Sequence, residues 1–343
     1  MRLALVMSHA DRRMAGARRE LHLLRGLAAR GAAVTLFRMH AGPAIEREDF
    51  LAGTVPAVFC PADDNAPVAG LRLSASLVAE IAAFRPTVLL FKGLGYHINR
   101  QVTAALPGCP FILIPGGRTT DPLLDRAALV LAEHARQEAV DFAGHASAGR
   151  TMVLPKFFDP ALAGDGQPDP APRYAVVNVG AFVDARKNQA ALLPLTARHR
   201  VCFVGGGAML ETVRAQAPAR NLARFAGHRR PDDVYRFIRA AQLMAHVSTN
   251  DGLPRAVVEA MACGRPVIGY RDVIAGAFTH GKHGLLVVPD ELEASVETLL
   301  ADPPRLAAMG AAARAHAFAH HGPDALDRAA AALLDLLRRH GIG

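Results

Sequence analysis

The twenty residues Ser248-Thr-Asn-Asp-Gly-Leu-Pro-Arg-Ala-Val-Val-Glu-Ala-Met-Ala-Cys-Gly-Arg-Pro-Val267 decide the fold class. They predict the end of a strand, a loop opened by Gly252, a helix that begins at Pro254 and a stop at Gly264. Proline suits the first turn of a helix, and glycine suits the left-handed residue just after its end. The first N–H groups of such a helix, near Pro254 to Ala256, point toward the loop at the positive end of the helix dipole. The segment therefore predicts a site for an anion such as a diphosphate.

Two carboxylates flank this predicted anion site. Asp251 comes just before the helix, and Glu259 lies about five residues inside it. An ionised carboxylate only accepts hydrogen bonds, so we expect one of the two to bind hydroxyls of a sugar and the other those of a ribose. An alternative remains open, because Arg255 and Glu259 are four residues apart and are also spaced as an ordinary ion pair on a solvated helix face.

The same segment resembles the signature of the retaining glycosyltransferase family 4, which has the GT-B fold. The family usually has Glu-Gly-x-Pro-x4-Glu-Ala-x-Ala-x-Gly-x-Pro-Val, and this chain has Asp251 in place of the first Glu. The matching positions are Gly252, Pro254, Glu259, Ala260, Ala262, Gly264, Pro266 and Val267. The resemblance implies an α/β protein with two doubly wound Rossmann-like domains facing a cleft and a C-terminal helix that crosses back to the first domain.

Alternating strand-like and helix-like segments agree with two parallel sheets that carry helices on both faces. Strands are predicted at residues 3–8, 33–37, 57–60, 87–91, 111–115, 129–132, 152–154, 174–179, 200–204, 243–247, 266–268 and 284–288. Further helices are predicted at residues 17–30, 74–84, 98–105, 292–300, 304–316 and 324–340. We expect an N-terminal acceptor domain over residues 1–160, a linker over 161–172, a nucleotide-sugar domain over 173–322 and a closing helix over 323–343.

A second segment, Val179-Gly-Ala-Phe-Val-Asp-Ala-Arg-Lys-Asn-Gln189, resembles the family's first loop of the second domain. There the family usually has an Arg just after the Gly and a Lys further on, both directed at the donor phosphates. Lys187 matches that lysine, and its implied role is to stabilise negative charge on the leaving diphosphate. Ala181 departs from the pattern. Arg186 is a candidate to supply the missing charge, with an ordinary surface arginine as the alternative.

The other donor-site candidates are named because of their positions in segments that resemble the family's motifs. Phe225-Ala-Gly-His228 resembles a loop that contacts the base, which makes His228 a candidate. The remaining candidates are Gly180, Gly252, Leu253, Pro254 and Arg255. In contrast, Gly205-Gly-Gly207 lacks the spacing of a dinucleotide-binding loop and is interpreted as a plain strand-to-helix turn.

The first domain departs further from the family. Of the Gly-Gly pair that the family often has after the first strand, only Gly16 carries over. The family's sugar-contacting His is replaced by Gly116-Gly-Arg118, so Gly117 and Arg118 are candidates for donor or acceptor contacts. His97 follows the preceding strand and is a further candidate, although most loop histidines are incidental.

Composition is typical of a folded protein. The 343 residues are 51% hydrophobic and 20% charged, which favours two cores over extensive disorder. The formal charge of +8 comes mostly from arginine in an alanine-rich chain, and no nucleic-acid motif accompanies it. The four cysteines are far apart and predict reduced thiols. Because neither a signal peptide nor a run of about 18 apolar residues is recognised, we expect a cytoplasmic protein.

Two clusters of basic residues invite other interpretations. The histidines at 280, 283, 316, 320 and 321 have ligand-like spacings, but no Cys, Asp or Glu joins them, so we expect no metal site and no cofactor. Arg12, Arg13, Arg18 and Arg19 predict either a solvated face or a peripheral contact with an anionic membrane.

The resemblance to family 4 implies a retaining, metal-independent glycosyltransferase. Its expected donor is a nucleotide diphosphate sugar, and its acceptor is a hydroxyl of a lipid-linked, saccharide or small molecule, in the synthesis of a cell-envelope glycan. Ala181 and the missing His keep open a GT-B-like protein that binds a nucleotide sugar or a partner without transfer. A nucleotide-sugar epimerase of the same fold is a further alternative.

Overall fold

The computed structural model describes residues 1–8, 19–63, 66, 68–115, 120–134, 137–145, 150–167 and 171–342. The chain divides into two compact units. Unit 1 comprises Met1–Pro155 with Pro323–Gly343, and unit 2 comprises Lys156–Gly322.

Unit 1 is built on an eight-stranded sheet. Its strands are β1 (Arg2–Met7), β2 (Ala33–His40), β3 (Glu46–Phe50), β4 (Val55–Pro61), β5 (Val88–Lys92), β6 (Phe111–Ile114), β7 (Leu129–Ala132) and β8 (Thr151–Val153). The order across the sheet is β3-β4-β2-β1-β5-β6-β7-β8. Its first helices are α1 (Arg19–Ala28), α2 (Ala75–Phe84) and α3 (His97–Ala105).

The strands of this sheet form where the chain has continuous apolar runs. Residues 3–7 of β1 are all buried, as expected for a parallel strand that is covered on both faces. Strand β3 corrects the prediction of a wholly parallel sheet, because it pairs antiparallel with β4. Its sequence, Glu-Arg-Glu-Asp-Phe, has no apolar periodicity, and its charges suit a sheet edge.

Unit 2 contains a six-stranded sheet in which every neighbouring pair is parallel. Its strands are β9 (Tyr174–Val179), β10 (Val201–Val204), β11 (Ala223–Gly227), β12 (Ala241–His246), β13 (Val267–Tyr270) and β14 (Gly284–Val287). The order is β11-β10-β9-β12-β13-β14. Its helices are α4 (Pro160–Ala163), α5 (Leu210–Ala215), α6 (Pro231–Arg239), α7 (Arg255–Ala262), α8 (Arg271–Ile274), α9 (Leu292–Leu300) and α10 (Pro303–His320).

Two local predictions in unit 2 are corrected by the structure. Residues 225–227, interpreted as part of a loop, belong to β11, where the ring of Phe225 stacks on Phe203 with centroids 4.8 Å apart. Pro254 is the N-cap of α7 rather than its first residue. The predicted stop is confirmed, because Gly264 has φ +69° and an added Cβ would lie 2.3 Å from the carbonyl oxygen of Gly166.

The last helix, α11 (Gly322–Arg339), returns the chain to unit 1. It packs closely on α1, since a Cβ added at Gly26 would lie 2.9 Å from the Cβ of Ala330. Arg30 also donates two hydrogen bonds of 2.8 Å to the carboxylate of Asp327. These contacts confirm the prediction that the closing helix crosses back to the first domain. Within the described ranges, no helix combines the length and apolar character needed to span a membrane.

Candidate functional site

The strand order of unit 2 marks one place on its sheet. The chain adds β10 and β11 on one side of β9 and then places β12, β13 and β14 on the other side. The loops that leave β9 and β12 therefore diverge at a topological switch point, where open α/β sheets bind their ligands beyond the carboxyl ends of the strands. The loop after β9 contains Arg186 and Lys187, and the loop after β12 contains Asp251.

Hydrogen bonds hold these two loops together. The carbonyl oxygen of Arg186 accepts from the backbone N–H of Thr249 at 2.8 Å and from the hydroxyl of Ser248 at 3.1 Å. The Arg186 guanidinium in turn donates to the carbonyl oxygen of Asn250 at 2.9 Å. These hydrogen bonds to backbone carbonyl groups hold the two loops together and so bring their polar side chains close to one another.

Asp251 is the centre of a charged cluster at this switch point. Nζ of Lys187 donates to both of its carboxylate oxygens, at 2.8 and 2.7 Å, and Nη1 of Arg186 lies 3.3 Å from Oδ1. Lys187 and Asp251 are mostly buried, whereas the Arg186 side chain is 42% exposed. The sequence singled out all three residues, and the structure brings them together.

His246 is a member of this cluster that the sequence did not reveal. It is the last residue of β12, it is buried, and its Nε2 lies 3.3 Å from Oδ2 of Asp251. The segment was interpreted as the end of an apolar strand. The sequence contains one signal for this residue, which is a histidine at the end of a buried strand, five residues before Asp251.

The charges around Asp251 control its ionisation. Burial opposes the charged form, but the neighbouring side chains of His246 and Lys187 outweigh burial and hold the pKa of Asp251 well below its ordinary value. Asp251 is therefore ionised at neutral pH. Arg186 also pairs with the carboxylate of Asp184 at 3.0 Å, so the charges of the cluster balance, but the side chains of Arg186 and Asp184 are open to solvent and a ligand anion can reach them.

Glu259 lies on the helix that follows this loop. Its side chain is only 10% exposed, and Nε of Arg255 lies 3.1 Å from Oε1. The ion pair between Arg255 and Glu259 is therefore present, but Glu259 does not lie on the solvated helix face that an ordinary surface ion pair would require. Burial raises the pKa of Glu259, and the attraction of Arg255 offsets only part of that effect. A buried carboxylate with a raised pKa is a candidate for function.

Glycines let the loop after β9 approach the turn after β10. A Cβ at Gly205 would lie 1.8 Å from the carbonyl oxygen of Gly180, and one at Gly207 would lie 2.4 Å from that of Phe182. Gly205–Gly207 connects β10 to α5, which confirms the strand-to-helix turn. His228 is exposed just after β11. It lies next to Gly206, since a Cβ added at Gly206 would be 3.3 Å from the Cβ of His228.

The remaining candidates in unit 2 lie in the loop before α7. Gly252 and Pro254 are half-buried, and Arg255 is an exposed first residue of the helix. The Leu253 side chain packs in the hydrophobic core. Any ligand contact of Leu253 would therefore have to use its backbone.

In unit 1 the structure describes only one of the four residues that were predicted as site residues. His97 is the half-buried first residue of α3, on the carboxyl side of β5. Gly16, Gly117 and Arg118 lie outside the described residues.

Arg19 corrects one feature of the predicted arginine cluster. It is buried rather than on a solvated or membrane-facing surface, and it donates to Glu20 at 3.0 Å and to Glu133 at 2.7 Å. Arg12, Arg13 and Arg18 lie outside the described residues.

The structure also brings several of the predicted histidines together. The ring of His316 lies 4.5 Å from the rings of both His283 and His320. Burial and these neighbours lower the pKa of His316 to about 4. Nδ1 of His283 accepts from Thr279 N–H at 3.2 Å and is engaged by that contact. Among the described side chains, no group of three or more His, Cys, Asp or Glu is arranged to hold a metal.

Comparison with known proteins agrees with this geometry. Residues 173–316 match the family model described as "Glycosyl transferases group 1". This range contains β9–β14 and every described candidate residue of unit 2. A search of curated protein sequences found no match.

Solved structures match nearly the whole chain. Sucrose-phosphate synthase from Thermosynechococcus elongatus aligns with a TM-score of 0.79 at 18% identity, over 99% of each chain. HepE of Anabaena in complex with UDP and glucose aligns with a TM-score of 0.72 at 18% identity, over 98% of this chain and 99% of that one. The pneumococcal O-GlcNAc transferase GtfA, in complex with UDP and GlcNAc, aligns with a TM-score of 0.69 at 11% identity, over 98% and 99%. At these identities the likeness establishes the fold, and the predicted GT-B fold is confirmed.

Proposed function

We propose that the protein is a retaining glycosyltransferase of family 4 that uses a nucleotide diphosphate sugar, since residues 173–316 match the group 1 glycosyltransferase model. The observation that carries the proposal is the pair of cations, Lys187 and the 42% exposed Arg186, that meet at Asp251 at the switch point, just before α7. A UDP-sugar is the first donor to test, since HepE and GtfA, which share the fold, are solved with UDP.

The donor diphosphate would bind against Lys187, Arg186 and the first turn of α7. In the structure, both carboxylate oxygens of Asp251 accept from Nζ of Lys187. When the diphosphate binds, it takes Asp251's place as the partner of Lys187 and Arg186, and the carboxylate is released to accept from sugar hydroxyls. Arg186 thereby supplies the charge that Ala181 lacks, because its guanidinium already lies beside Asp251.

Glu259 would bind the ribose. Its buried carboxylate accepts from a diol at the far side of the diphosphate, and the charge of Arg255 favours the ionised form of that carboxylate. Gly180 and His228 lie on the same edge of the sheet and would line the nucleotide with backbone and ring atoms.

The chemistry of transfer follows from the charges. Lys187 and Arg186 stabilise the negative charge that grows on the leaving diphosphate, which is the role of a metal ion in other transferases. No metal is therefore required by the proposal. The bond from the anomeric carbon to the phosphate oxygen breaks, and the acceptor oxygen forms the new bond to that carbon on the same face. The leaving phosphate oxygen accepts the proton of the acceptor hydroxyl, so that the anomeric configuration is retained.

The acceptor and the cellular location are proposals that rest on the sequence. A lipid-linked, saccharide or small-molecule hydroxyl in cell-envelope glycan synthesis would be bound by the first domain, in which Gly117 and Arg118 stay predictions. With Arg19 buried, a peripheral contact of a cytoplasmic enzyme with an anionic membrane would rest on Arg12, Arg13 and Arg18. Such a contact weakens as salt shortens the Debye length from about 10 Å at 0.1 M.

One specific observation favours a second candidate. Ala181 stands where an arginine is expected, and both neighbouring cations are already engaged by Asp251. A GT-B-like protein that binds a nucleotide sugar but does not transfer it would share this geometry. An epimerase of the same fold would instead convert the donor with no acceptor present.

Titration with UDP- and GDP-sugars, followed by turnover assays with and without acceptors, tests the proposal. Lys187→Ala should lower turnover by about 100-fold while weakening donor binding much less, because the side chain acts most strongly on charge that develops in the transition state. Lys282→Ala is the matched control, since Lys282 is an exposed lysine of the same unit. Donor binding without turnover over a wide acceptor panel would favour the second candidate, and absence of donor binding would refute both.

A further inference from the structure

Asn188, the residue that follows Lys187, has a backbone conformation that few residues other than glycine adopt. Its φ is +51° and its ψ is +30°, in the left-handed region. In that region the Cβ of an ordinary residue comes close to the following carbonyl oxygen, and Asn is tolerated because its short amide can hydrogen-bond nearby. In the described part of the chain, the other non-glycine residues with positive φ all belong to unit 1. Such conformations persist where the surrounding structure holds them, and they are frequent at functional sites.

The left-handed residue separates two short 3₁₀ helices, Ala185–Lys187 and Gln189–Leu192. The N–H of Asn188 donates to the carbonyl oxygen of Ala185 at 3.0 Å, and its own carbonyl oxygen accepts a hydrogen bond of 3.0 Å from the second helix. A right-handed residue at this position would continue the first helix. The turn at Asn188 therefore sets the direction of the chain at this point of the loop.

The side chain of Asn188 is held by Tyr270. Nδ2 of Asn188 donates to the Tyr270 hydroxyl at 3.3 Å. Tyr270 is the last residue of β13, is 5% exposed and packs in a hydrophobic core of unit 2. Burial raises the pKa of the Tyr270 hydroxyl, which therefore stays neutral and accepts from the amide. Since a closely packed ring has little freedom to move, Tyr270 provides a fixed point for Asn188.

Two successive side chains of this loop thus contact the ends of two neighbouring strands. Lys187 donates to Asp251 in the loop after β12, and Asn188 donates to the residue that ends β13. Strands β12 and β13 are adjacent in the sheet. The left-handed turn is what allows the two side chains to reach separate strands from consecutive positions.

Lys187 depends on such support from its backbone. A lysine ammonium lies at the end of a flexible four-carbon stem, so its position is fixed only if the main chain beneath it is fixed. On the far side of Asn188, the buried Gln189 donates from Nε2 to the carbonyl oxygen of Ala181 at 3.1 Å and closes the loop. Because a displacement of about 1 Å can lower a rate by about 100-fold, the orientation of this backbone bears on catalysis.

We propose that Asn188 and Tyr270 are positioning residues that act through Lys187. The amide of Asn188, bound to the Tyr270 hydroxyl, fixes the left-handed turn, and the turn directs Lys187 at Asp251. That the same turn directs Lys187 at a donor diphosphate rests on the proposed function. The orientation of Lys187 does not rest on it and can be measured without a donor.

NMR of protein labelled with ¹³C at lysine Cε tests this orientation. The chain has four lysines, at positions 92, 156, 187 and 282, so Lys187→Ala assigns the Lys187 signal directly. We expect Tyr270→Phe, which keeps the ring and removes the acceptor, to shift that signal and to leave the other three in place. Tyr174→Phe is the matched control and should shift none of them, because it removes a hydroxyl at the opposite, amino edge of the same sheet.

Turnover separates positioning from a merely structural role. Asn188→Ala should lower turnover about tenfold and donor affinity less than about threefold, because Lys187 acts most strongly on charge that develops in the transition state. Asn188→Gly, which adopts the left-handed turn without strain but has no amide to hold it, should be intermediate. In a Lys187→Ala background the substitution at Asn188 should cost no further turnover, since it acts through Lys187.

The inference is overturned if Asn188→Ala and Tyr270→Phe, with their circular dichroism unchanged, leave the Lys187 signal in place. It is also overturned if their losses of turnover persist in the Lys187→Ala background, which would mean that they act on the fold alone. If the native protein binds no nucleotide sugar, the proposed function fails, and the lysine spectrum by itself decides whether Asn188 and Tyr270 position Lys187.

Discussion

Both units place charged residues at the switch point of their sheet, but the two clusters are built differently. In unit 1, Arg19 and Glu20 follow β1, Lys92 ends the adjacent β5, and Glu133 follows β7. The two cations and two carboxylates balance, and Arg19, Glu20 and Glu133 are almost completely buried. In unit 2, Lys187 and Arg186 also face two carboxylates, those of Asp251 and Asp184, but the side chains of Arg186 and Asp184 are 42% and 48% exposed, so this cluster is partly open to solvent.

The difference separates a structural cluster from a binding cluster on equivalent edges of two similar sheets. Balanced, buried charges satisfy one another, and a ligand that entered would have to break hydrogen bonds without gaining net attraction. Ion pairs that are open to solvent are weak, so a ligand anion can compete for the cations of the unit 2 cluster. The exposure of the charges at a switch point, rather than their presence, therefore decides which unit holds the donor phosphates in the proposal above.

The largest effect is expected from Arg19→Met, which tests whether the unit 1 cluster is structural. The substitution leaves Glu20 and Glu133 buried with Lys92 as their remaining cation, and removal of one partner from a buried ion pair costs about 3–5 kcal/mol. The free energy of unfolding of unit 1, followed by hydrogen exchange in β1 and β5, measures this. Arg30→Met, which breaks a more exposed pair with Asp327, is the control and should cost less than about 1 kcal/mol. Equal losses would contradict a structural role for the buried cluster.

Acid provides the next test of the same cluster. Burial opposes ionisation of Glu20, but Arg19 and Lys92 outweigh it and lower its pKa from 4.5 to about 2. Because the folded pKa is below the unfolded one, this stabilisation is complete above pH 4.5 and is lost as the pH falls toward 2. Thermal unfolding between these pH values should show a steeper loss of stability in the native protein than in Glu20→Gln. Parallel curves would show that Glu20 is not held by these cations.

The sequence predicted the fold where local patterns agreed with tertiary structure. Continuous apolar runs such as residues 3–7 identify buried parallel strands, and Gly264 marks the end of α7 because only glycine fits there. Strand β3 escaped prediction because its charged sequence is held extended by pairing with β4 rather than by an apolar pattern. Such an edge strand is specified by its neighbour and cannot be read from its own residues.

The site could be predicted only in part for a related reason. Lys187 and Asp251 are 64 residues apart, and their contact depends on β9 and β12 being neighbours, which the family resemblance implied but spacing alone does not show. His246 was not predicted because it lies at the end of an apolar strand, and that pattern indicates only burial. The burial of Arg19 depends on Glu133, 114 residues away, so the sequence displayed only a run of arginines.

Glu259→Gln is expected to separate stability from binding in unit 2. Burial raises the folded pKa of Glu259, so its ionised form lowers stability at neutral pH, and this penalty disappears as the pH falls below the unfolded value of 4.5. The neutral amide should therefore maintain or raise the melting temperature at pH 7. It should also weaken UDP binding by roughly 10- to 100-fold, since a charged acceptor for the ribose is lost. Unchanged affinity in calorimetry, with the fold intact, would remove Glu259 from the donor site.

The smallest effect is expected from His246→Phe, which tests a single contact of the unit 2 cluster, that between His246 and Asp251. Nε2 of His246 lies 3.3 Å from Oδ2 of Asp251, so this polar contact restrains the carboxylate that accepts from Lys187. The phenyl ring keeps the packing of the buried imidazole but donates nothing, so UDP affinity should fall by only about three- to tenfold, the value of one ordinary hydrogen bond. His246→Gln retains an N–H donor and should recover part of that affinity. If the Gln and Phe variants bind UDP equally and differ only in melting temperature, His246 fills the core beneath Asp251 without positioning it.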